Sequence, residues 1–192
     1  MNKKYCITKQ YFNKISIFLG LYLSFEEVGM YLLRLIYYSR NTVKAMTSSA
    51  GNEIKSIMES CQRNNPSLGV TGALIFNDQY FAQVLEGDRK AVTSIFTKIS
   101  NDKRHNEIVL LEAKPVDARL FSDGWSMAYA GHSDKIDTLY LKYGIAVGFT
   151  PAKMSANTLT SFIYDMVSSD AKVAHHAFIE TSKAKSVREI RV

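Results

Sequence analysis

Runs of alternating hydrophobic and polar positions along this chain are interrupted by stretches whose apolar residues recur every three or four places. Leu32-Leu33-Arg34-Leu35-Ile36-Tyr37-Tyr38 predicts a strand with Leu33, Leu35 and Tyr37 on one side. A polar loop through Ser48 and Ser49 follows. Ile54, Ile57, Met58 and Cys61, at i, i+3, i+4 and i+7, then predict an amphipathic helix. It is expected to end near Asn64 and Asn65, because Pro66 disfavours helical geometry in the residue before it. Residues 69–76 and 80–86 predict two strands joined by a turn at Asn77-Asp78. Asp88 is the expected N-cap of a second helix carrying Val92, Ile95, Phe96 and Ile99. Residues 107–113 and 124–130 read as further strands. Two more amphipathic helices follow, one with Ile136, Leu139, Tyr140 and Tyr143, the other starting near Ser155 with Leu159, Phe162, Ile163 and Met166.

The order β-α-β-β-α-β-β predicts an α+β fold, a ferredoxin-like split βαβ sandwich with two helices on one face of the sheet. The later helices are expected to pack on the domain or on a partner. Three regions result: an N-terminal extension at 1–30, a core domain at 31–130, and a C-terminal helical extension and tail at 131–192.

One residue breaks the pattern. Alternation in Tyr80-Phe81-Ala82-Gln83-Val84-Leu85-Glu86 puts Phe81, Gln83 and Leu85 on one face, so an amide stands in an apolar stripe. A buried amide is costly unless its donors and acceptor find partners. Either Gln83 is a core glutamine bonded to backbone or a buried water, or it faces something polar that belongs to a function.

Composition narrows the classes. With 192 residues, 46% of them hydrophobic, the chain suits one domain plus extensions and an ordinary globular core. The net charge of +6 is spread over the ends. Lys3, Lys4, Lys9 and Lys14 face only Glu26 and Glu27 in the first 30 residues, and Lys183, Lys185, Arg188 and Arg191 cluster near the other end. A nucleic-acid surface wants a basic stripe with interleaved aromatics on a folded face, and basic tails are a weaker signal, so nucleic acid is not the expected partner. Cys6 and Cys61 make no disulfide framework and suit a reducing cytoplasm. Basic residues followed by Ile15-Ser16-Ile17-Phe18-Leu19-Gly20-Leu21-Tyr22-Leu23-Ser24 resemble the apolar region of an export signal. That run is too short to span a bilayer, and no small-x-small cleavage site follows. Residues 1–30 are therefore expected to be a poorly structured or packed extension from an upstream start, with Met30 just before the first strand. No membrane association is expected.

Familiar catalytic signatures are absent: no GxGxxG, P-loop, GxSxG or CxxC occurs. His175 and His176 are adjacent, poor geometry for one metal, and no metal site is expected. What remains is a set of polar residues that the fold would bring together. Tyr37 should face the helices beside Gln83. Asn64 and Asn65 close the first helix, and Lys98, Arg104 and His105 belong to or follow the second. Each has a plain structural role open to it. Tyr37 could be a core tyrosine, the asparagines left-handed helix caps, and Lys98 and Arg104 solvated charge. Together with Ile57 and Ile99 as aliphatic walls, they describe a slot between two helices suited to a flat polar heterocycle.

These residues also stand in strings. Leu35-Ile36-Tyr37, Ser60-Cys61-Gln62-Arg63-Asn64-Asn65-Pro66 and Gly69-Val70-Thr71-Gly72-Ala73-Leu74 come first. Phe81-Ala82-Gln83-Val84-Leu85-Glu86-Gly87, Asp102-Lys103-Arg104-His105 and Trp125-Ser126-Met127 follow in order. Across roughly residues 31–130 the set resembles the BLUF family of blue-light sensors using FAD. The helices beyond, with Leu141-Lys142-Tyr143 and Gly148-Phe149-Thr150, are similar to the C-terminal extension of its short members.

The resemblance implies a noncovalent flavin, FAD or alternatively FMN, lying between the two helices. Asn65, assisted by Asn64, would bond its pyrimidine edge. Ile57 and Ile99 would sandwich the ring, and Gln83 would bridge it to Tyr37. Arg104, with Lys98 and His105, would serve its polar rim or ribityl-phosphate side. Tyr37 would donate an electron and a proton to the excited ring while Gln83 rotates or tautomerises. Trp125 and Met127, on one face of the last strand, either simply pack the core or, by the resemblance, relay the switch. A cytoplasmic, homo-oligomeric photoreceptor signalling to another protein is implied, and not an enzyme. Its rivals are a ferredoxin-like binding module without functional flavin, acting by protein or nucleic-acid contact, and a hydrolase of similar fold, for which no convincing catalytic arrangement exists.

Overall fold

A computed structural model describes residues 32–43, 50–122, 124–146 and 148–168. The extension at 1–30, Cys6, the loop at Ser48-Ser49, His175-His176 and the basic C-terminal tail lie outside the described residues. Strands β1 (Leu32–Asn41), β2 (Thr71–Phe76), β3 (Tyr80–Asp88), β4 (His105–Pro115) and β5 (Trp125–Tyr129) form one sheet in the order β4-β1-β3-β2-β5. All neighbours are antiparallel except β2 and β5, which run parallel. Helices α1 (Ala50–Ser67) and α2 (Arg89–Ser100) connect β1 to β2 and β3 to β4. Helices α3 (Asp134–Lys142) and α4 (Ala156–Ser168) follow the sheet, with a short 3₁₀ turn at Pro151–Lys153 between them. The ferredoxin-like sandwich expected from the element order is the fold observed.

Local chemistry explains the joints. Asn77 Oδ1 accepts from the amides of Gln79 and Tyr80 at 2.9 and 2.7 Å, an Asx turn that closes the β2–β3 hairpin. Asp88 caps α2 by accepting from the Lys90 and Ala91 amides at 2.8 and 3.2 Å. The end of α1 differs from expectation: the helix runs on through Ser67 with Pro66 inside it. Its left-handed cap is Gly69, φ 62°, while the amides of Leu68 and Val70 both donate to the Asn65 carbonyl. Among the described residues the only left-handed non-glycine residue is Glu107, so neither asparagine is a left-handed cap. Strand β4 also begins earlier than its alternation suggested, at His105. Two irregularities in its pairing with β1 flank Tyr37 and Tyr38, one of them at the left-handed Glu107.

The sheet is covered on both sides. Leu33, Leu35, Tyr37 and Leu85 pack with Val92 and Ile95 of α2, while Leu74, Phe76 and Phe81 pack with Ile54 of α1. The opposite face presents Ile36, Ala73, Ile75, Ala82 and Val84 to Leu159, Phe162 and Ile163 of α4. Alanines at 73, 82 and 128 leave room for that layer, whose centre is Phe162, stacked on Tyr140 and Phe149 at centroid distances of 5.7 Å each. Strand β3 lies in the middle of the sheet with Gln83 and Glu86 among its buried residues.

Candidate functional site

A cavity of about 170 Å³ lies over the sheet between α1 and α2. Its floor is Tyr37 from β1, Phe81 and Gln83 from β3, and Leu74 from β2. One wall is α1, through Ile57, Ser60, Cys61, Asn64 and Asn65, with Leu68 just past its end; the other is α2, through Ile95, Lys98 and Ile99. Asp102, Arg104 and His105 close it from the α2–β4 turn. The helical spacing of Ile57, Cys61 and Asn64–Asn65 is what aims one stripe of α1 inward. All nine residues singled out as cofactor contacts meet in this one space.

Tyr37 and Gln83 are cross-strand partners in the β1–β3 register, each 2% exposed. The Tyr37 hydroxyl donates to Gln83 Oε1. Burial, assisted by the nearby Cys61 thiol and Asp102 carboxylate, pushes the Tyr37 phenol far above its ordinary pKa, so it keeps its proton. With Oε1 engaged, Gln83 Nε2 is buried and has no partner among the described residues, and Asn65 Nδ2 is in the same condition. Two unpaired amide donors lining one cavity are costly by about 1–3 kcal/mol each unless something accepts from them. A flat heterocycle with carbonyl and ring-nitrogen acceptors between the isoleucine walls meets that demand, which is the chemistry of a flavin's polar edge.

Arg104 and His105 are committed to the protein in ways the sequence did not show. Arg104 Nε lies 2.9 and 3.0 Å from the two Asp102 oxygens, its Nη2 also reaches Asp102, and Nη1 is 3.8 Å from Glu53 on α1. Burial opposes ionisation of Asp102, but the Arg104 hydrogen bonds outweigh it and hold the carboxyl below its ordinary pKa. His105 lines the cavity, yet Nε2 is 2.7 Å from the Ile99 carbonyl and Nδ1 is 2.7 Å from the Ser39 hydroxyl. The carbonyl can only accept, so Nε2 carries a proton, and the ring offers the cavity a face and no N–H. Asn64 is exposed and donates to Ser60 Oγ at 3.1 Å; Lys98 is exposed as well.

Trp125 and Met127 do not line the cavity. Met127 pairs in register with Leu74, which in turn pairs with Gln83, so one residue separates it from the amide along a row of the sheet. Trp125 lies two residues along β5, opposite Gly72, packs against both apolar groups beneath the helices, and has a buried indole N–H without a partner among the described residues. Ile95, Leu74 and Asp102 were not among the expected contacts. Ile95 was legible as the residue one turn before Ile99, whereas Leu74 required the β2–β3 register.

The family model for sensors of blue light using FAD matches residues 32–128, half of the chain. The chain belongs to the BLUF family. The family's cofactor is FAD, and the matched region is its flavin-binding, blue-light-sensing domain. Among solved structures, BlsA in its photo-activated state is 29% identical with a TM-score of 0.62, over 71% of this chain and 94% of that one. BlrB, a BLUF protein in its dark state, is 26% identical with a TM-score of 0.58, over 73% and 98%. The photoactivated adenylate cyclase subunit alpha of Euglena gracilis is 35% identical over 78 residues, 41% of this chain and 8% of that protein. The match thus spans about a tenth of the length of such curated relatives. BLUF domains occur with downstream effector domains, as in the structure of a bacterial light-regulated adenylyl cyclase, of which 32% is covered. Among the described residues no helix is long and apolar enough to cross a membrane.

Proposed function

We propose that this BLUF protein is a blue-light photoreceptor that holds FAD noncovalently between α1 and α2 and switches through Tyr37 and Gln83. The observation that carries the reading is the orientation of Gln83: its oxygen is taken by Tyr37 and its unpaired NH₂ lines the cavity. Asn65 supplies the second unpaired donor. Ile57 and Ile99 enclose the ring, with Asn64, Lys98, Arg104 and His105 around it. Bound there, FAD supplies a chromophore that absorbs blue light and becomes a strong oxidant when excited. Tyr37 is the chain's electron and proton donor, its O–H already aimed at Gln83. The amide's two ends are nearly the same shape but opposite in hydrogen-bond sense. A half-turn therefore exchanges the donor facing the cavity for an acceptor without disturbing the packing. A buried network with two such arrangements is a switch whose populations light can bias.

Trp125 and Met127, one row and one residue away, pass the change to β5 and to the C-terminal layer at 131–168. Output is a change in protein–protein contact, to a second copy or to a downstream signalling protein in the cytoplasm, and the chain itself is not an enzyme. A module without flavin would leave the Gln83 and Asn65 donors buried and unpaired, which disfavours that rival.

Purified protein decides the matter. A yellow protein whose flavin spectrum reversibly shifts to the red under blue light is expected; a colourless protein that takes up no FAD overturns the proposal. Gln83→Leu is expected to bind flavin yet lose the shift, because leucine has no second hydrogen-bond state. Tyr37→Phe tests the donor, and a normal photocycle in either variant removes that residue's role.

A further inference from the structure

Glu86 is a fully buried carboxylate on the central strand, three residues from Gln83 but pointing through the opposite face of the sheet. Donors from two segments converge on it. Arg34, its cross-strand partner on β1, donates through Nε at 2.6 Å. The amide of Leu120 donates to both carboxylate oxygens at 3.1 and 2.9 Å, and that of Phe121 to one at 2.9 Å. Next to them, Arg119 donates to the Glu86 carbonyl at 2.6 Å, to Thr71 Oγ1 at 2.8 Å and to the Gly69 carbonyl at 2.7 Å.

The topology explains what this cluster holds. Strands β4 and β5 are at opposite edges, so their connection must pass β1, β3 and β2, roughly 19 Å at the usual strand spacing. Residues 119–121 are the part of that connection fastened to the middle strand. They lead to Gly124, whose carbonyl accepts from the Gly72 amide at 3.1 Å, and so to Trp125, paired with Gly72. Phe121 enters the C-terminal layer, with its ring 5.9 Å from that of Tyr164 on α4.

We propose that Glu86, with Arg34 and Arg119, is the positioning residue that sets the entry of β5 and thereby couples the strand carrying Gln83 to Trp125. A carboxylate is an acceptor at every lone pair, which is what four converging donor contacts require. Glutamine at this position would turn an NH₂ toward at least one of them. The clamp would loosen without changing the cavity, which lies on the other face.

Trp125 is the sole tryptophan of the sequence, so its fluorescence reports this strand alone. In the FAD-loaded protein kept dark, Glu86→Gln is expected to raise the acrylamide quenching constant of Trp125, which is only partly buried in the parent, by about twofold as its strand opens locally. Flavin content and absorption maximum should stay as in the parent. Under blue light, the lifetime of the red-shifted state should change by a similar factor. Arg119→Gln, which leaves the Glu86 carboxylate intact, should move both quantities the same way and decides the matter if Glu86→Gln does not fold. Quenching of Trp125 equal to the parent's in the dark overturns the proposal. The lifetime effect rests on the Tyr37–Gln83 reading and the dark quenching does not, so a protein with no light response at all would end that reading and leave the dark result to judge Glu86.

Discussion

Gln83 and Asn65 show how much a single polar atom can decide. An apolar stripe made Gln83 conspicuous, and the structure separates its two ends, the oxygen spent on Tyr37 and the nitrogen unspent. Replacing Asn65 by Ala removes one of the two waiting donors, and FAD affinity is expected to fall roughly tenfold, as for one net hydrogen bond; a fluorescence titration of apoprotein measures it. Cys61, half-buried on the α1 wall, behaves as a neutral apolar group, since burial pushes its thiol from 9.0 up to about 11 against the pull of Arg104. The unfolded chain ionises this thiol first, so its contribution to stability is whole below pH 9 and is lost as pH rises toward 11. Between those values the parent should lose roughly 2 kcal/mol more stability than Cys61→Ala, read from denaturant unfolding at each pH. An equal loss in both proteins would show the thiol to be as exposed as in the unfolded state.

At the scale of elements, joints matter more than helix or strand propensity. The last turn of α1 holds Asn65 in the cavity wall, and the turn that follows, closed on the Asn65 carbonyl, depends on Gly69 at φ 62°. A Cβ there would meet nothing within 4 Å, so Gly69→Ala tests the backbone alone. It is expected to cost about 1–2 kcal/mol of stability in chemical denaturation, with Gly69→Asn recovering much of that because asparagine tolerates the left-handed region. The sequence pointed to Pro66 as the stop and placed the helix end slightly early. Proline excludes helical geometry only by local preference, and the hydrogen bonds of Leu68, Gly69 and Val70 back to Asn65 and Pro66 outweighed it. The two asparagines could not be judged from sequence for the same reason: a cap and a ligand look alike until the left-handed residue is located.

At the scale of the molecule, the sheet is shared between two cores with separate duties. One face floors the cavity, and the other is sealed by α3 and α4, so the C-terminal layer is part of the domain's own packing. Phe162, fully buried at its centre, is the test. Phe162→Ala is expected to cost about 3–5 kcal/mol of stability, from lost transfer free energy plus a cavity. With the helix-facing core untouched, the variant should retain FAD at low temperature, measured by absorbance after gel filtration; loss of flavin in a folded variant would show the two cores to be one.

Alternation and helical spacing, acting over a few residues, were enough to determine the elements, the ferredoxin-like order and the inward stripes of Tyr37, Gln83, Ile57 and Ile99. Those signals are local, because a strand's period and a helix's period are properties of neighbouring residues. What depended on register between distant strands was decided only in three dimensions. Leu74 between Gln83 and Met127 and Trp125 opposite Gly72 are of this kind. So is the buried Glu86, which in sequence is the polar end of a strand and in the structure the fastening of a connection that crosses the sheet. A carboxylate's worth depends on which donors converge on it, and only the tertiary fold brings Arg34 and residues 119–121 to the same atom group.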